Sequence, residues 1–113
     1  MAHYMNHREE KTARAEAEEA LAKLRNPDKW KVSIFGGGSQ HRNCYGWVLR
    51  CGNLKIEVGE EYRGYCAVFE IPGMEFPPWT EDEDPQAAVD VVVGSARRYS
   101  TEIQGIVETV EGV

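Results

Sequence analysis

The sequence predicts an α+β domain: an N-terminal helix, a four-stranded antiparallel β-meander, and a long C-terminal helix packed on the sheet. Three observations predict it. Between Trp30 and Ile71, apolar and polar residues alternate in four short runs, the period-two signal of half-buried strands. The links between most of these runs are short and carry glycine, which favours antiparallel neighbours, since a parallel crossover needs roughly a dozen residues or more. On either side of the runs, apolar residues recur every three or four positions, the period of a helix with one buried stripe.

Residues 7–25 read as the first helix. Ala13, Ala17, Ala20, Leu21 and Leu24 form a narrow apolar stripe, and Glu10–Arg14 and Glu19–Lys23 are i,i+4 pairs in the favourable order. Asn26-Pro27 ends the helix, because the proline ring disfavours helical geometry in the residue before it. Trp30, Val32 and Ile34 then share one side of a first strand. Tyr45, Trp47 and Leu49 share one side of a second, Leu54, Ile56 and Val58 of a third, and Tyr65, Ala67, Phe69 and Ile71 of a fourth. Gly52-Asn53 suits a two-residue hairpin, which needs positive φ. The opposite side of the sheet is mixed: Phe35, Cys44, Val48, Cys66 and Val68 stand among Arg50, Lys55, Glu57 and Glu70. A face open to water would be more hydrophilic, so a helix, a second subunit or a partner is expected there.

After Ile71, residues 72–83 read as a proline-rich acidic loop. Asp84-Pro85 opens the last helix, with aspartate as N-cap and proline at the first helical position. Its inward stripe is expected to be Ala88, Val91, Val92, Ser95, Tyr99, Ile103, Ile106 and Val110. Unbroken to Val110, it spans about 39 Å at 1.5 Å per residue. That is long for this sheet, so its end is expected to protrude, break, or pair with another subunit; a homodimer is the expected assembly.

At 113 residues the chain is expected to make one domain, residues 1–113, with residues 1–6 expected to fray. No apolar run approaches the ~20 residues of a membrane span, and the polar start does not resemble a secretory signal. Three cysteines, an odd number, fit a reducing cytosol better than a disulfide framework. A cytoplasmic protein is expected. The net charge of −6 is local: residues 75–90 hold six acidic side chains and no basic one. This disfavours direct nucleic-acid binding, which needs a basic footprint. It suits a basic protein partner.

Two candidate sites follow. The first is a partner-binding surface of Phe76, Trp79, Glu81, Asp82 and Glu83, an aromatic anchor beside the acidic run; the alternative is that Phe76 and Trp79 staple this loop to the core. The second is a ligand site, in which Gly37, Gly38, His41, Arg42 and Arg50 hold phosphate and Tyr45 or Trp47 lies near a base. The glycine-rich loop leads into a strand, whereas the known phosphate-binding fingerprints lead into a helix. Metal and cofactor sites are not expected: Cys44, Cys51, Cys66 and His41 lack the paired spacing of a zinc knuckle. Glu57 and Glu70 are expected to pair with Lys55, Arg50 or Lys31 rather than with each other. A hydrolase using Cys44 or His41 rests on composition alone.

The order helix, four-stranded meander, helix resembles double-stranded-RNA-binding domains, which have one fewer strand. Their last helix opens on a lysine cluster, where this chain has Asp84, Pro85 and Gln86, so the RNA-binding role does not carry over. The chain also resembles small uncharacterised bacteriophage accessory proteins over much of residues 30–99. The shared features are a charged N-terminal helix, Gly46-Trp47, Pro78-Trp79, the Asp84-Pro85 opening and Ala96-Arg97-Arg98. That resemblance implies a phage accessory gene, many of which encode inhibitors of bacterial defences, and supplies no catalytic residues. The expected function is therefore a non-catalytic binding protein, such as a phage-encoded inhibitor acting on a host protein. A sponge for a nucleotide messenger is the alternative.

Overall fold

The computed structural model describes residues 9–35, 43–61 and 63–112. The elements are α1 (Glu10–Leu21), a single 3₁₀ turn (Pro27–Lys29), β1 (Lys31–Phe35), β2 (Cys44–Cys51), β3 (Leu54–Glu61), β4 (Gly64–Glu70), β5 (Trp79–Asp82) and α2 (Pro85–Glu111). The strands form one antiparallel sheet in chain order. The α+β class and the meander agree with expectation, but the strand count is five, not four. Residues 79–82, expected in a loop, pair with β4, Val68 opposite Trp79 and Ala67 opposite Thr80. Their alternation is tryptophan–threonine–glutamate–aspartate, so neither side of this edge strand announces itself as apolar.

The inner face carries the residues that alternation assigned to it. Val32 pairs with Trp47, Trp47 with Val58 and Val58 with Ala67, and the same row order places Ile34, Tyr45, Leu49, Ile56, Tyr65 and Phe69 on this side. Both helices pack here: Ala17, Ala20 and Leu24 from the α1 end and Ala88, Val89 and Val92 of α2 share one core with the sheet. Alanine is what lets α1 come close. The Trp47 indole N–H reaches the helix backbone and donates to the Ala17 carbonyl at 3.3 Å. The Trp47 ring also meets Tyr45 edge-on at 5.6 Å and Tyr65 at 5.5 Å.

At one end of this core the Tyr45 and Tyr65 hydroxyls share a hydrogen bond of 3.0 Å. Burial pushes the Tyr45 phenol well above its ordinary value of 10.0; the Tyr65 bond, Tyr65 itself, and nearby Glu60 and Glu16 push it the same way. In the unfolded chain this phenol ionises near its ordinary value. Its stabilising effect is therefore complete below about pH 10 and is lost as pH rises beyond that. An alkaline titration followed by circular dichroism should show stability falling above about pH 10, with a shallower fall in Tyr45→Phe. Equal slopes for the two proteins would contradict the buried phenol.

Helix α1 is shorter than the expected 7–25. It ends at Leu21, and Lys23 and Leu24 donate three residues back, to Ala20 and Leu21, tightening the last turn. Asn26 then adopts a left-handed φ of 52° before Pro27. The exit is tied to α2: the Arg25 guanidinium spans both Asp90 carboxylate oxygens at 2.6 and 2.8 Å, and its backbone N–H donates to Gln86.

Helix α2 starts as expected. The Asp84 carboxylate accepts from the Ala87 N–H at 2.9 Å, and Pro85 occupies the first turn. The inward stripe needs two corrections: Tyr99, Ile103, Ile106 and Val110, expected to face inward, are exposed because the helix runs on past the sheet, and the phase of its packed part is shifted. Its buried members are Pro85, Ala88, Val89 and Val92, and Val91 is exposed, because the helix presents its 85–89–92 edge to the sheet. The helix runs unbroken to Glu111, and residues 97–112 are all exposed. The particle is accordingly long, 62 × 29 × 22 Å, with a radius of gyration of 16.9 Å, against about 13 Å for a compact chain of this size.

Candidate functional site

Because both helices sit on one side, no described element covers the other. Pairing registers define that open face row by row. Nearest the β2–β3 turn lie Arg50, Lys55 and Glu70. The next row crosses the whole sheet as Lys31, Val48, Glu57, Val68 and Trp79. The third is Ser33, Gly46, Gly59, Cys66 and Glu81. Phe35 pairs with Cys44 beyond it, and Glu61 with Gly64.

The third row holds only small side chains until Glu81. It therefore forms a trough, with backbone for its floor, Val48, Glu57 and Val68 for one wall, and Phe35 and Glu61 for the other; its volume is about 390 Å³. Phe35 leans across β2, and its ring end lies 3.4 Å from where a Cβ on Gly59 would stand. Gly46 is required by close approach: a Cβ there would lie 2.2 Å from the Val58 carbonyl oxygen. Trp79 closes the edge of the wall at 61% exposure.

Charge is distributed along the strands. At the turn end, the Lys55 ammonium bridges Glu57 at 3.1 Å and Glu70 at 3.0 Å. The Glu70 bond first, then the Glu57 bond, raise its pKa. Glu57 and Glu70 thus pair with Lys55, as the same-face placement suggested. Towards the opposite end stand Glu61, Glu81, Asp82 and Glu83, which with Arg63, Gly64 and Tyr65 line a second, shallower depression of about 230 Å³. Burial raises the Cys66 thiol, and Glu61 and Glu81 raise it further, so this sulfur stays protonated and weakly nucleophilic. Cys44 is buried and Cys51 exposed.

The structure brings part of the first expected site together. Trp79 and Glu81 project onto the open face from β5, Asp82 and Glu83 flank them, and all four are exposed. Phe76 lies in the preceding loop at 83% exposure, so it does not staple that loop to the core. Asp82 has a structural duty as well: its carboxylate accepts from the Asp84 N–H at 2.9 Å. The second expected site is not assembled. Tyr45 is buried on the inner face, and Arg50 is on the open one, so no single ligand touches both. Trp47, the other candidate to lie near a base, is fully buried. Gly37, Gly38, His41 and Arg42 lie outside the described residues.

Alternation places Phe35 on this face, but the Gly46–Gly59 trough beside it escapes a reading of side chains in sequence. The available signal was a glycine inside each of two neighbouring strands, which marks a close approach or a bare backbone. Among the described residues, no His, Cys, Asp and Glu group is placed to hold a metal ion, and no helix is long and apolar enough to cross a membrane. Comparison with protein families, curated proteins and solved structures finds no match to this chain. The site's own chemistry must therefore carry the functional assignment.

Proposed function

We propose that the protein is a non-catalytic binding protein that docks a basic protein surface on the open face of its sheet, with Trp79 as anchor. One observation carries this: Val48, Val68 and Trp79 in one row, and Phe35 across the trough from it, are apolar side chains on a sheet face whose two helices are both on the far side. An exposed tryptophan beside a trough is the usual make-up of a binding hot spot. The acidic end of the face, Glu61, Glu81 and Glu83, supplies complementarity to lysine and arginine and speeds encounter. The resemblance to phage accessory proteins supports a specific form of this proposal, an inhibitor that binds a host defence protein in the bacterial cytosol.

The test is affinity capture from bacterial lysate with the wild-type chain and with a Trp79→Ala, Glu81→Lys, Glu83→Lys variant. Asp82 is left intact because it holds the Asp84 N–H. The variant is expected to fold normally and to lose a partner that the wild type retains at low salt and releases at high salt. Equal recovery by the two proteins would remove the open face as the binding site.

A further inference from the structure

We propose that the C-terminal half of α2 is a self-association segment, pairing antiparallel with the same segment of a second copy. This is independent of the open-face proposal, since it uses neither the trough nor Trp79.

The first argument is continuity. Val89 and Val92 are buried under the sheet, and Ala96, Tyr99, Ile103, Ile106 and Val110 follow them at alternating spacings of three and four. That spacing is the seam used when two helices wind together. The same seam that seats α2 on its own sheet thus runs on beyond it. There it is bare: Tyr99 is 46%, Ile103 58%, Ile106 65% and Val110 80% exposed. The side-chain hydrogen bonds of Thr101 to the Arg97 carbonyl, Gln104 to Glu108 and Thr109 to the Gly105 carbonyl stay within the helix. A free helix of this length is marginal in water without a packed face.

The second argument is geometry. The face that α2 turns to its own sheet at Val89 and Val92 is the face left bare from Tyr99 onward. A parallel partner would have to enter the space that sheet fills, whereas an antiparallel partner meets only the overhang. The seam's flanking positions, Ser100, Glu102, Val107 and Thr109, hold only one charge per copy, so little must be desolvated. The seam residues and Val107 expose on the order of 500 Å² per copy, so pairing removes on the order of 1,000 Å², the lower bound for a specific interface.

Light scattering across the micromolar range tests this. The wild type is expected at twice the chain mass of 12.8 kDa. Ile103→Glu with Ile106→Glu is expected at 12.8 kDa, with the near-ultraviolet dichroism of the buried Trp47 unchanged. A monomeric wild type, or a dimer that survives the isoleucine changes, overturns the proposal. A small-angle X-ray scattering profile that places the two sheets side by side, rather than at opposite ends of the helix pair, overturns the antiparallel orientation.

Discussion

Replacing Trp47 with alanine is expected to lower the stability of the fold by about 3–5 kcal/mol, the range for deleting a large buried aromatic. Trp47 is fully buried, packs against Tyr45 and Tyr65, and donates to the Ala17 carbonyl, so it joins α1 to the middle of the sheet. The alanines of α1 are too small to follow the ring inward, so the space left behind stays largely open. Folded domains are stable by only about 5–15 kcal/mol, so the variant should sit near the edge of folding. Urea titration followed by far-ultraviolet dichroism measures the loss. Trp79→Ala is the control: its side chain is largely in water, and the change should be within about 0.5 kcal/mol. Equal effects from the two tryptophans would mean that the inner and outer faces of the sheet have been confused.

Gly46→Ala should be nearly as damaging, by about 3 kcal/mol, although it adds a single methyl group. The new carbon would meet the Val58 carbonyl oxygen at 2.2 Å and the Gly59 Cα at 3.1 Å. Both are backbone atoms of the neighbouring strand, so β2 and β3 must separate. Gly59→Ala, one strand over in the same row, makes the informative contrast. Its methyl meets only the end of the Phe35 ring, at 3.4 Å, and that side chain can swing aside. A cost below about 1 kcal/mol is expected, partly offset by the smaller freedom of alanine in the unfolded chain. Hydrogen exchange of the β2 and β3 amides would separate the two variants: Gly46→Ala should accelerate it and Gly59→Ala should not.

These contrasts also show what a linear chain discloses. The inner face was legible at Trp30, Val32, Tyr45, Trp47, Ile56, Val58, Ala67 and Phe69, because strand pleat converts alternation directly into sidedness. The start of α2 was legible too, since Asp84 and Pro85 act locally on their own helix. Strand β5 was not, because its pairing depends on β4 as a template and its own residues carry no apolar alternation. The phase of α2 was off by part of a turn: Val89 and Val91 are equally apolar, and only the position of the sheet decides which is buried. For the candidate site, the acidic flank was foreseeable from composition, but the exposure of Trp79 and Phe76 was not, since two aromatics around a proline pair serve equally well to staple a loop to the core. The trough was not, because it consists of absent side chains that a register must first bring into line.

The length of the particle has a hydrodynamic consequence. A body 62 Å long and 22 Å thin meets more drag than a sphere of the same mass. A single chain should therefore leave a sizing column early and mimic a larger globule. Its tumbling should be faster about the long axis than across it, which splits amide relaxation rates by bond direction even in a rigid monomer.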